Sequence, residues 1–75
     1  MNRIEEVLKS IQNDIANEKI KHVGVQMVCF NGRLGVKFYC IDNEHYAAKV
    51  DEIAERYCEE LTPARILKTT RIYTF

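Results

Sequence analysis

The chain has few turn formers, with one proline and three glycines in 75 residues. So small a share excludes a Pro/Gly-rich linker or a low-complexity tract. Its three cysteines, Cys29, Cys40 and Cys58, are odd in number and irregularly spaced. They form neither a disulfide framework nor a CxxC pair, so reduced thiols are expected. No stretch approaches the ~18 apolar residues of a membrane span. The first 20 residues alternate charged and apolar positions and lack the apolar core of a signal peptide. A cytoplasmic protein without membrane contact is expected. Net charge is also missing, because eleven basic and eleven acidic residues cancel. That balance excludes a chain that is cationic throughout and coats nucleic acid or lipid without specificity.

What is present is a globular composition, 47% hydrophobic and 29% charged. Residues 1–75 suffice for a single α+β domain. A chain of this size buries only roughly 60% of its unfolded surface, so no deep pocket for a small-molecule substrate is expected and function is expected on the surface.

From Ile4 the apolar positions Ile4, Val7, Leu8, Ile11 and Ile15 follow the spacing of one helical face. The helix is expected from about residue 3 to Asn17. Asn2 is placed to cap it, with Glu5 reaching back as in a capping box. Asn31-Gly32 then lies between two β-rich runs and favours a two-residue type I′ hairpin turn. Pairing Phe30 with Arg33 sorts the side chains. One face receives Cys29 with Leu34, Met27 with Val36, Val25 with Phe38, and Val23 with Cys40, all apolar. The other receives Phe30 with Arg33, Val28 with Gly35, Gln26 with Lys37, Gly24 with Tyr39, and His22 with Ile41. A slip of one residue would destroy this separation, so turn and pattern specify the same register.

Asp42 or Asn43 is expected to cap a second helix, with Tyr46, Ala47, Val50, Ile53, Ala54, Tyr57 and Leu61 along its apolar side. Thr62-Pro63 ends it, because proline disfavours helical geometry before itself and has no N–H to donate. Residues 64–75 read as one strand, with a bulge near Thr69-Thr70 to switch faces. The expected fold is a two-layer α+β sandwich of order α-β-β-α-β. A right-handed crossover would place the third strand parallel to the second and beside the first, in spatial order 2-1-3. Both helices would cover the apolar hairpin face and leave the opposite face open.

Charge follows this division. The helical segments 1–18 and 42–60 total −7, and the strand segments 19–41 and 61–75 total +7 with no acid in either. An acidic helical surface opposite a basic sheet surface would steer a charged partner. Helix-favouring Glu and strand-protecting Lys or Arg give the same layout without any partner. The open face is expected to join Val28, Phe30, Tyr39 and Ile41 to Arg33, Lys37, Gln26 and His22. Apolar groups rimmed by polar ones mark interfaces.

No constellation for chemistry emerges. The hairpin register separates Cys29 from Cys40 by roughly 20 Å, too far to share a metal ion, and both read as small core residues. His22 points away from them, and His45 lies too far along its helix from Cys58, a partly buried residue, to form a dyad. The acids Asp51, Glu52, Glu55, Glu59 and Glu60 spread over a solvent face, where Glu52–Arg56 and Glu5–Lys9 have favourable i, i+4 spacing. No enzyme, metal or cofactor is expected. The expectation is a protein-binding module, an inhibitor, adaptor or regulator of the kind encoded by phages and mobile elements, with homodimerisation through the sheet as a further mode. Its binding residues would be Phe30, Arg33, Lys37, Tyr39 and Ile41, with Arg71 and Tyr73 beside them. The alternative is single-stranded RNA or DNA on the same face, bases on the rings and phosphates on the cations.

Overall fold

A computed structural model describes residues 3–75; the expected Asn2 cap lies outside them. Helix α1 spans Arg3–Asn17 and buries Val7, Ile11 and Ile15, the stripe that its periodicity marks. Strands β1 (Gly24–Phe30) and β2 (Arg33–Tyr39) form an antiparallel hairpin whose register runs from Gly24 opposite Tyr39 to Phe30 opposite Arg33, as the turn chemistry requires. Asn31 and Gly32 have φ of 51° and 79°, the double positive φ of a type I′ turn.

The hairpin base departs from simple alternation. Cys40 takes a left-handed conformation with φ of 61° and is exposed, and the core position passes to Ile41. The turn at Cys40 breaks the two-residue period, so Ile41 leaves the open face where alternation placed it. Cys29 and Cys58 are exposed as well, so none of the three thiols is a core residue.

Helix α2 spans Glu44–Glu55, with Asn43 as its N-cap: the Asn43 side-chain oxygen accepts the Tyr46 N–H at 2.8 Å. The helix ends several residues before Thr62. Turns carry the chain from Arg56 to Glu60, and Leu61 is still buried.

The C-terminal segment is two strands. Strand β3 (Thr62–Ile66) and strand β4 (Arg71–Thr74) pair antiparallel through a turn closed by the Leu67 N–H donating to the Thr70 carbonyl at 2.8 Å. The irregularity lies between Pro63 and Arg65, not at Thr69-Thr70. The element order is therefore α-β-β-α-β-β, and the sheet has four antiparallel strands in the order β1-β2-β4-β3. The expected three-stranded order 2-1-3 is replaced because the chain reverses after Ile66. Strand β3 still runs in the direction of β2, but β4 returns between them and pairs with β2. That leaves β1 at one edge and β3 at the other.

Both helices pack on the side of the sheet that bears Val36, Phe38 and Tyr73, and one apolar cluster joins them to it. Phe38 and Tyr73 meet edge to face with ring centres 5.9 Å apart. Polar contacts bind the helices to each other. The Tyr57 hydroxyl donates to Asp14 at 2.9 Å, and Arg56 reaches Glu18 at 2.8 Å and Asp14 at 3.3 Å, so Arg56 bridges the helices where the i, i+4 rule would pair it with Glu52. Burial and the Asp14 carboxylate push the Tyr57 phenol above its ordinary value. No described helix is long and apolar enough to cross a membrane.

Candidate functional site

The face of the sheet opposite the helices follows from the register. Its rows are Gly24 with Tyr39; Gln26, Lys37, Ile72 and Arg65; Val28, Gly35, Thr74 and Thr62; and Phe30 with Arg33. Of the residues expected there, Phe30, Arg33, Lys37 and Tyr39 are present. Three belong elsewhere. Ile41 is in the core through the turn at Cys40. Tyr73 pairs with Val36 and Arg71 with Phe38, which puts both on the helix side, because the reversal into β4 sets the parity of that strand.

Arg65 is the residue that the sequence pattern misses. It faces the open side in the row of Lys37 and Ile72, and its guanidinium lies over the Phe30 ring, 5.5 Å from the centre. The contact spans the sheet from edge to edge, over the row of Gly35, where a side chain would run into the Tyr73 backbone. Beneath it Gly35, Ile72 and Thr74 are buried although, among the described residues, no other element covers this face. The run Lys68-Thr69-Thr70 between the two short strands holds no Gly, Pro, Asn or Asp, so the reversal that places Arg65 leaves no turn signal in the sequence.

Tyr39 is held in a similar manner. A side chain at Gly24 would overlap the Tyr39 ring, so the ring lies across the bare backbone of β1. Arg33 donates to the Phe75 carbonyl at 3.2 Å. The face thus presents Arg33, Lys37 and Arg65 with no carboxylate among its strands, while Asp14, Glu18, Asp51 and Glu52 lie on the helices of the other layer.

Beneath α2 the fold holds a different cation. Arg71 is 8% exposed, donates from Nε to Asp51 at 3.1 Å, and has its buried Nη1 without a partner among the described residues. It lines a cleft of about 400 Å³ between the start of α2 and the β3–β4 turn, together with Asp42, Glu44 and Lys68. Asn43 already fills the cap, so the cleft offers mixed charge and no open row of donors. A second cleft of about 310 Å³ separates α2 from β3 and includes Cys58, Pro63 and Ile66. Among the described residues, no three His, Cys, Asp or Glu side chains gather as a metal site requires. No protein-family model, curated protein or solved structure matches the chain, so the surface itself is the guide to what it does.

Proposed function

We propose that this chain is a non-enzymatic binding module that docks its sheet face onto an acidic surface of a protein partner, as an inhibitor, adaptor or regulator would. The observation that carries this reading is the convergence of Arg33, Lys37 and Arg65 on one acid-free face. Two of these cations are already held in place, Arg65 by the Phe30 ring and Arg33 by the Phe75 carbonyl. Long side chains ordered before binding lose less entropy when they bind, and a fixed guanidinium fork suits carboxylates. The acidic helices at the back add a dipole that orients the approach.

The second reading is a single-stranded nucleic acid, favoured by the same cations standing beside Tyr39. One face of Phe30 is occupied by Arg65, which leaves a single half-buried ring for stacking, fewer than such platforms use. Affinity capture with the wild-type protein, Arg33→Glu, Arg65→Glu and the helix-side control Glu52→Lys tests the proposal. Capture of a defined protein should be lost in the two face variants and retained in the control. Equal capture by all four proteins refutes it. Tight, steeply salt-dependent binding of a labelled oligonucleotide by wild-type protein, abolished in the same two variants, would favour the second reading.

A further inference from the structure

The two edges of the sheet are built differently. Edge strand β3 has five residues, includes Pro63 and Arg65, and is interrupted by an irregularity between them. These are the features by which proteins block edge pairing. Strand β1, the other edge, has seven residues, GVQMVCF, with no charge, no proline and no register break. A two-residue hairpin loop makes Phe30 and Arg33 a hydrogen-bonded pair, so Val28, Gln26 and Gly24 also bond toward β2. The N–H and C=O groups of Val25, Met27 and Cys29 consequently point out of the sheet. No hydrogen bond from outside the sheet reaches these backbone groups among the described residues.

We infer that β1 pairs antiparallel with β1 of a second copy of this chain, about a two-fold axis at Met27. That register sets Met27 opposite Met27, Val25 opposite Cys29, Gln26 opposite Val28 and Gly24 opposite Phe30, with all seven residues paired. The strand is self-complementary because it carries no charge: an isologous contact doubles every like-charge repulsion between directly opposed residues, and no residue of β1 brings one. A foreign strand, by contrast, finds no charge on this edge by which to be selected.

A second observation points to the same occupant. The helices leave the hairpin tip uncovered on their own side, where Met27 is 39% and Leu34 47% exposed and Cys29 is exposed between them. In the paired sheet the row Leu34–Cys29 of one copy continues into Val25 and Phe38 of the other, which are packed into that copy's helix-covered core. The apolar tip that one copy cannot cover thus lies against the covered base of its mate. The two-fold axis stands perpendicular to the sheet, so all four helices share one side and the two cationic faces form one surface on the other. This pairing is independent of what the cationic face binds.

Sedimentation velocity across a wide concentration range, in reducing agent to keep the thiols free, should show a monomer–dimer equilibrium. Hydrogen exchange under dimer conditions should slow the amides of Val25, Met27 and Cys29 and leave those of Gln26 and Val28, already bonded to β2, unchanged. Met27→Lys sets two ammonium groups opposite each other and should weaken the dimer about tenfold or more. Cys29→Lys, at an exposed site, serves if that variant loses its circular dichroism. A chain that stays monomeric throughout, a dimer in which those three amides exchange freely, or a dimer indifferent to both lysines would overturn the inference.

Discussion

Arg71 and Asp51 form an ion pair whose two halves should respond to mutation with opposite sign. The Arg71 side chain is 10% exposed, whereas the Asp51 side chain is 54% exposed. Water screens such a pair, so its favourable part is about 0.2–1 kcal/mol. Against it stands Nη1, buried without a partner among the described residues, at a cost of about 1–3 kcal/mol. Arg71→Met keeps an unbranched stem beside Phe38 and under α2, loses the pair and relieves the unmet donor. It should leave stability unchanged or raise it by up to about 2 kcal/mol. Asp51→Ala removes the sole described partner of Nε and leaves the cation buried, which should cost about 1–3 kcal/mol. Urea unfolding followed by far-ultraviolet circular dichroism reads both, and the double variant should match Arg71→Met to within a few tenths of a kcal/mol. If Arg71→Met instead destabilises by more than about 2 kcal/mol while Asp51→Ala is neutral, the guanidinium has a partner other than Asp51 and the reasoning fails.

Gly35→Ala places a methyl group against the Tyr73 carbonyl oxygen, main chain of the neighbouring strand that cannot swing aside, and should destabilise by about 1–3 kcal/mol through overpacking, read as a lowered urea midpoint with an unchanged slope. Burial is the main cause that pushes the Tyr57 and Tyr73 phenols above the ordinary value of 10.0, with Asp14 and Asp51 respectively adding to it. A phenol whose folded value is raised contributes stability that is intact below pH 10 and declines as pH climbs from there through the folded value. Alkaline unfolding should therefore begin above pH 10. Tyr57→Phe should cost about 1 kcal/mol at neutral pH and flatten the alkaline decline, whereas an unaltered alkaline profile would assign that decline to other groups.

The parts of this fold that sequence reveals are those where turn chemistry and hydrophobic period agree. Asn31-Gly32 supplies both positive φ values that its turn demands, and the alternation on either side admits one register. Helix α1 is legible because its apolar stripe is unbroken. The C-terminal hairpin is not, because its turn at 67–70 contains no Gly, Pro, Asn or Asp to announce a reversal. Its strands, moreover, do not alternate: every β3 residue is exposed and every β4 residue is buried. Ile41 is misassigned for a related reason. Cysteine carries no preference for the left-handed region, so nothing at Cys40 warns that the period breaks there. Arg71 defeats the rule that charge faces water, since Asp51 on α2 reaches down to meet it. The part of the candidate face on β1 and β2 was readable through the hairpin alone, and Arg65 waited on the reversal that the pattern hid.

The unequal margins of the sheet bear on how far assembly can go. A protein with two receptive borders polymerises, because each addition exposes a fresh one. With Pro63 and Arg65 capping one border, a pair joined along the other has no growing end left, and association stops at two.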